Sequence, residues 1–185
     1  MKNILLHICC APDATVPVLD LISKGYKVKG FFYGNNIHPF DEYQKRLEAL
    51  KILSEKTNLD VEIANYNPDE WLEKTSFLKN EPEGGKRCEL CFRLQFEAAA
   101  KAAEKFSCEE FCTTLTISPH KNVNKIFEIA NEISENHNLN CQNIIWRKNN
   151  GFLRSIKLSK EFGLYRQNYC GCIFSTCVQN RILCS

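Results

Sequence analysis

Six of the eleven cysteines stand in three close pairs, and this pairing is the clearest chemical signal in the sequence. The pairs are Cys9/Cys10 in LLHICCAPDAT, Cys88/Cys91 in RCELCFRL and Cys170/Cys172 in YCGC. The C-x-x-C spacing places two sulfurs on one side of a helical turn, where they can bind one metal or one cluster. Gly171 lets the backbone of the third pair turn so that both sulfurs face one centre. Three such pairs from distant segments indicate a metal or redox site.

The number of thiols bears on which metal they would bind. Thiolate sites suit zinc or iron–sulfur clusters, and zinc needs four ligands that two C-x-x-C units often supply. Here there is one C-x-x-C, six candidate thiols and a nearby carboxylate, Asp13, which favours iron–sulfur over zinc. Cys170 and Cys172 could instead form a C-x-C disulfide, whose strained ring would be redox-active. The other cysteines show no ligand spacing, and Cys112 is predicted to be a buried strand residue; these five are Cys108, Cys112, Cys141, Cys177 and Cys184.

Strands and helices alternate along the chain in a way that can bring these pairs together. Apolar runs predict strands at 3–9, 26–36, 59–66 and 110–117, and periodic segments predict helices at 13–25, 40–58, 88–106 and 121–137. This alternation is typical of an α/β fold, a parallel sheet with helices on both faces. Ligands bind at the carboxyl ends of such strands, and Cys9 and Cys10 end the first one. Asp13 is a candidate N-cap of the first helix, and Pro17 falls near its first turn.

Length and charge predict the domain organisation, the binding partner and the cellular location of the chain. We expect one α/β domain over 1–185, with a cysteine-bearing helical insertion near 66–107 and a basic segment at 142–185. Seven basic residues and one acid give that segment a net charge of +6, which indicates a polyanion partner or a solvated basic face. The first apolar run is too short and polar to span a membrane, and no cleavable signal is visible. A cytoplasmic location follows, where a disulfide framework is not expected.

Several blocks together resemble the cobalamin-independent epoxyqueuosine reductases. They are LLHICCAPD, NIHPFDEYQKR, EPEGGKRCELCFRL, TTLTISPHKN and LSKEFGLYRQNYCGC, in order from residue 5 to about 175. The resemblance implies a Rossmann-like fold of the PP-loop or HUP type. It implies an enzyme that reduces epoxyqueuosine to queuosine in the anticodon loop of tRNA. That reaction consumes two electrons and two protons. The sequence does not identify the electron donor.

The resemblance also implies cofactors and their ligands. A [4Fe-4S] cluster is expected on Cys9, Cys10, Cys88 and Cys91, and either a redox-active pair or ligands of a second iron at Cys170 and Cys172. Family members often carry cysteine at the position of Asp13, and cysteine and aspartate share metal binding better than they share capping. We therefore hypothesise that Asp13 and the third pair help to hold a mononuclear iron that acts as a Lewis acid on the epoxide oxygen. The expected catalytic residues are Asp13, Cys170 and Cys172.

Residues beside the cysteine pairs are candidates for substrate binding. His120, Lys121, Tyr165, Arg166 and Gln167 could hold the tRNA backbone or a base near the metal. A packed aromatic residue with a solvated arginine is the alternative for the last three. His120 and His38 could donate protons, although a lone loop histidine is more often a hydrogen-bonding surface residue.

Two other functions compete with a reductase. An ATP-dependent tRNA-modifying enzyme of the PP-loop class would have a glycine- and serine-rich loop after the first strand, where amides hold pyrophosphate. This chain has CCAPDAT there, without glycine and with thiols that repel phosphate once ionised. A zinc-stabilised tRNA-binding module would need only four thiolates and the basic segment. Anaerobic purification distinguishes the two metals: an iron–sulfur protein is brown and absorbs broadly near the violet end of the spectrum, whereas a zinc protein is colourless.

Overall fold

A five-stranded sheet forms the centre of the computed structural model, which describes residues 2–175. The strands lie in the order β3-β2-β1-β4-β5, and every neighbouring pair is parallel. Their bounds are Asn3–Ile8 (β1), Lys27–Phe32 (β2), Asp60–Ile63 (β3), Glu110–Thr113 (β4) and Asn140–Cys141 (β5). The helices are Ala11–Ser23 (α1), Phe40–Thr57 (α2), Pro68–Thr75 (α3), Lys86–Lys105 (α4), Val123–Asn136 (α5) and Gly151–Glu161 (α6). The predicted α/β fold is confirmed.

The strand order creates a crevice between β1 and β4. After β1 the chain builds β2 and β3 on one side, and it then crosses back to place β4 and β5 on the other. The connections that follow β1 and β4 therefore diverge, and the gap between them is where open α/β sheets bind ligands. Cys9 and Cys10 lie at this gap.

Side chains of β1 alternate between two cores. Ile4, Leu6 and Ile8 are fully buried on the face that α1, α2 and α6 cover. Leu5 is buried on the opposite face, together with Trp71 of α3 and apolar residues of α4 and α5 such as Phe96. Burial on both faces is expected of a parallel strand at the centre of a sheet. The sheet is thus rigid where the cysteines leave it.

Helix α1 begins earlier than the sequence predicted. Cys10 occupies the N-cap position with extended backbone, and Asp13 is the third helical residue, so the prediction of Asp13 as N-cap is wrong. Pro12 in the first turn explains the early start, because a proline there loses no helical hydrogen bond. Pro17 lies inside the helix and not near its first turn.

The predicted strand at 110–117 ends at Thr113. Residues Thr114–Ile117 form a 3-10 turn, because the Thr113 hydroxyl accepts a hydrogen bond from the Leu115 backbone N–H and turns the chain. The third strand is also shorter than predicted. Within the predicted insertion, α3, a 3-10 turn at Ser76–Leu78 and α4 connect β3 to β4.

Three elements were not predicted: α3, β5 and α6. Helix α6 lies in the basic segment and packs on α1, partly through the buried serines Ser155 and Ser159, so its contact face lacks a strong apolar pattern. Arg154 on the same helix pairs with Asp20 of α1 at 2.7 Å, so part of the segment's positive charge stabilises the contact between α6 and α1.

Among the described residues, no helix combines the length and apolarity needed to cross a bilayer. Arg181, Cys177 and Cys184 lie outside the described residues.

His137 joins α5 to α4 and gives stability a pH dependence. Its ring nitrogens lie 2.7 Å from Glu104 and 3.0 Å from Glu97, and these hydrogen bonds raise the pKa of His137 above its usual 6.5. A raised pKa stabilises the fold fully below about 6.5 and loses that effect as pH rises through the folded value. We predict that His137→Gln lowers the free energy of unfolding by up to about 1 kcal/mol at pH 6 and by less at pH 8, measured by urea unfolding. Equal losses at both pH values would contradict an ionic contribution.

Candidate metal centre

One cavity of about 650 Å³ opens at the carboxyl edge of the sheet. Its walls come from the ends of β1 and β4, the start of α4 and the loop at 166–172. Five of the six paired cysteines and several other predicted site residues line it: Cys9, Asp13, Cys88, Cys91, His120, Lys121, Arg166, Gln167, Cys170 and Cys172. Cys10 lies behind this wall and is 1% exposed. The structure therefore gathers segments that are more than 150 residues apart in the sequence.

Cys9, Cys10 and Asp13 form the tightest group of metal-binding side chains. Their ligand atoms all lie within 4.8 Å of one another, and within residues 2–175 no other trio of Cys, His, Asp or Glu does so. The two sulfurs are 3.9 Å apart, and Sγ of Cys9 lies 3.6 Å from Oδ2 of Asp13. Both thiols are free. The junction of β1 and α1 thus presents two sulfurs and one carboxylate to a single point.

Burial disfavours the ionised forms of two members of this group, Cys10 and Asp13. It raises the pKa of the Cys10 thiol, with a further rise from the adjacent Cys9 and Asp13. Burial likewise raises the pKa of the Asp13 carboxyl. A bound cation would reverse both shifts, because it stabilises the ionised ligands. The donor set therefore fits a metal.

Cys88, Cys91, Cys170 and Cys172 form a second, more open group. Cys88 is the third residue of α4 and Cys91 follows one turn later, as the C-x-x-C spacing predicted. Burial raises the pKa of Cys91, and the charges of Cys170, Cys172 and Cys88 raise it further. Ligands of a four-iron cluster each bind a different iron, so they stand further apart than ligands of one ion. No three of these four sulfurs lie within 4.8 Å of one another, and this wider spacing and the all-sulfur donors fit a cluster.

Lys121 supplies positive charge to this second group. Its Nζ lies 3.4 Å from Sγ of Cys170. Burial works against the charged ammonium, but the thiolates of Cys170 and Cys88 outweigh it and raise the pKa of Lys121. The sequence predicted Lys121 as a substrate contact; the structure places it beside a sulfur.

The other predicted substrate residues have different positions. His120 is exposed at the cavity. Gln167 donates from Nε2 to Sγ of Cys10 at 2.8 Å, while its buried Oε1 has no hydrogen-bond partner among the described residues. Arg166 donates to the Ser159 hydroxyl at 3.1 Å. Tyr165 donates its hydroxyl to Glu42 at 2.8 Å, is 37% exposed and is not part of the cavity wall.

Polar side chains behind the cysteines were missed by the sequence analysis. The Thr114 hydroxyl accepts from the Cys9 backbone N–H at 3.1 Å and lies 3.2 Å from its sulfur. His7 is buried next to Thr113, with Nδ1 2.9 Å from that hydroxyl, and burial lowers the pKa of its ring to about 3. His7 is therefore neutral at physiological pH. A polar residue inside an apolar strand, as in LLHIC, was the available signal.

Arg46 holds the loop that carries the third cysteine pair. Its guanidinium pairs with Glu42 at 2.8 Å and donates to the carbonyls of Cys170 at 3.0 Å and Tyr169 at 3.1 Å. A Cβ on Gly171 would come within 2.9 Å of the same guanidinium, and its backbone has φ +103°. Only glycine fits this close approach without strain. The block NIHPFDEYQKR thus has a positioning role beside the site.

We predict that Arg46→Met lowers the free energy of unfolding by about 3–5 kcal/mol, because it leaves the Glu42 carboxylate buried without its partner. The two side chains are only 3% and 7% exposed. The matched control is Lys74→Met in the pair with Glu70, which has the same i, i+4 spacing but is 47% and 48% exposed; its loss should be much smaller, because solvent screens an exposed pair. Denaturant unfolding of both variants is the measurement. Similar losses at the two pairs would mean that Arg46 carries no buried charge interaction.

Chains of known structure share this fold at low sequence identity. A U34-tRNA thiolase from Methanococcus maripaludis, solved with its [4Fe-4S] cluster, aligns over 97% of this chain and 65% of its own, with TM-score 0.60 and 9% identity. A predicted tRNA methyltransferase subunit from Methanocaldococcus jannaschii aligns over 86% and 75%, with TM-score 0.59 and 11% identity. These likenesses show the fold alone, which is a Rossmann-like parallel α/β fold.

Sequence relatives are much closer. Residues 4–177 match the family model described as Epoxyqueuosine reductase QueH. A protein of that name from Thermotoga maritima is 38% identical over 95% of this chain and 91% of its own length. Another, from Acinetobacter baylyi, is 36% identical over 97% and 83%. The chain therefore belongs to the epoxyqueuosine reductase QueH family.

Proposed function

We propose that this chain reduces epoxyqueuosine to queuosine in the anticodon loop of tRNA, using an iron–sulfur centre. The observation that carries the proposal is the convergence of three cysteine pairs and Asp13 at one sheet-edge cavity. Removing the epoxide oxygen leaves an alkene and one water, and it consumes two electrons and two protons. The electrons come from a donor outside this chain. A cavity of about 650 Å³ has the size of a small-molecule site and suits one modified base.

The spacing of the donors suggests how they divide. The family expectation puts the [4Fe-4S] cluster on Cys9, Cys10, Cys88 and Cys91. The observed spacing favours the open group of Cys88, Cys91, Cys170 and Cys172 for the cluster. The tight group of Cys9, Cys10 and Asp13 then holds a single iron, with its carboxylate as the hard ligand. Cys88 and Cys91 bind the cluster in either division.

When bound, these centres would supply single electrons and a Lewis acid for the epoxide oxygen. The chain's own residues position the base and balance charge. Gln167 donates a hydrogen bond to the sulfur of Cys10 and would hold that ligand in position. Lys121 offsets the negative charge of the thiolates around it. Arg166 and His120 lie on the same cavity wall and would contact the RNA.

Neither competing function suits the observed loop as well. The backbone after β1 enters α1 directly through Cys9 and Cys10, and Asp13 occupies the first helical turn. Phosphate would meet two thiols and a carboxylate at the position where a PP-loop enzyme binds pyrophosphate. A structural zinc ion would use four ligands, and the remaining paired thiols would then have no metal to bind.

The direct test uses anaerobically purified protein, tRNA that carries epoxyqueuosine and a low-potential chemical reductant. We expect the modified nucleoside to lose one oxygen, detected by mass spectrometry. Cys88→Ala should lose cluster iron and turnover together, because a cluster iron without its thiolate is labile. The control is Cys108→Ala, since Cys108 is buried away from the cavity and should keep both. Full iron and normal spectra in Cys88→Ala would refute the cluster assignment.

The same measurements separate the two divisions of ligands. Loss of the cluster absorption in Cys10→Ala, with retention in Cys170→Ala, would support the family expectation. The reverse pattern would support the division based on spacing.

Asp13 is tested by exchanging its carboxylate. Because it is not the N-cap, Asp13→Asn costs the helix only the interaction of a first-turn charge with the dipole, about 0.5 kcal/mol. We predict that this variant folds, loses the single iron and loses most turnover, whereas Asp13→Cys regains part of both. Iron counts per chain and Mössbauer spectra are the measurements. Full iron and full turnover in Asp13→Asn would show that Asp13 is not a ligand.

A further inference from the structure

The sulfur of Cys91 receives hydrogen bonds from two buried side chains. Trp71 directs its indole Nε1 at Sγ from 3.3 Å, and Gln95 directs its amide Nε2 at the same atom from 3.1 Å. Trp71 is 0% and Gln95 is 3% exposed. By comparison, Sγ of Cys88 receives the backbone N–H of Gly84 at 3.2 Å. Donors of this kind are costly to bury unless they have an acceptor.

The orientation of Gln95 follows from its neighbours. Its Nε2 lies 3.2 Å from the Cys91 carbonyl oxygen as well as 3.1 Å from the sulfur. Both atoms are acceptors, so the amide must present its N–H groups to them. Gln95 lies four residues after Cys91 on α4, one helical turn away. The donor is therefore fixed to the same rigid element as the sulfur.

His7 completes the alignment from the sheet side. The Thr113 hydroxyl accepts from the Leu115 backbone N–H at 3.2 Å and lies 2.9 Å from Nδ1 of His7. Nε2 of the ring has no partner of good geometry among the described residues and interacts with the Gln95 side chain. A chain of polar groups thus runs from Thr113 through His7 and Gln95 to Cys91.

We propose that Gln95 and Trp71 are positioning residues that set the reduction potential of the cluster through the Cys91 sulfur. This inference rests on the proposed function, in which Cys91 is a cluster ligand. An N–H that points at a thiolate sulfur withdraws electron density from it and stabilises the more negative, reduced cluster. Each donor therefore raises the potential and makes the cluster easier to reduce.

The test is a mediated redox titration of anaerobically purified holoprotein. Gln95→Met keeps the length of the side chain but removes the donor, and Trp71→Phe removes the indole N–H. Both variants should keep the wild-type iron count and visible absorption, with midpoint potentials shifted to more negative values. Gln44→Met, an exposed substitution on α2, should leave the potential unchanged.

Each alternative outcome has a separate meaning. Wild-type potentials in both variants with full clusters would overturn this inference and leave the proposed reductase function intact. Loss of iron from both variants would also overturn it, because the donors would then be needed to retain the cluster and not to tune it. A Cys91→Ala protein with a complete cluster would instead refute the ligand set on which the inference rests.

Discussion

The crowding of six thiols and one carboxylate at a partly buried sheet edge is the constraint on which the structure around the cavity depends. Six thiols and one carboxylate meet at one edge of the sheet, and each ionised group raises the pKa of its neighbours. Burial raises the pKa of Cys10, Asp13 and Cys91, and Lys121 places a positive charge beside Cys170 and Cys88. Thiols that bind a metal lose their protons, so the affinity of the site for a metal depends on pH. The packed sheet beneath holds the donors in place.

The fold explains why such a site lies at the junction of β1 and α1. Parallel α/β sheets bind ligands where the strand order reverses, and a helix N-terminus at that place attracts negative charge. Enzymes that bind phosphate there receive the negative charge from their ligand. Here the chain provides it through Cys9, Cys10 and Asp13, whose ligand atoms share one point at the start of α1. The same backbone geometry therefore serves a metal as readily as it serves a nucleotide.

The sequence predicted the parts of this site that depend on local spacing. The alternation of strands and helices gave the fold, and the three cysteine pairs identified the cavity wall. The Arg46 contacts could not be predicted, because they join residues more than 120 positions apart. Helix α6 was missed because serines form part of its packing face. Asp13 was misplaced because Pro12 starts the helix earlier than the first good capping residue.

The position of the third cysteine pair sets an order of events during synthesis. All five strands lie within residues 3–141, so the sheet can form while the ribosome is still adding α6 and the loop after it. Cys170 and Cys172 reach the cavity only when that loop docks on Arg46. The whole sheet and four of the six paired sulfurs therefore precede the third pair along the chain. Completion of the centre depends on the docking of one short loop.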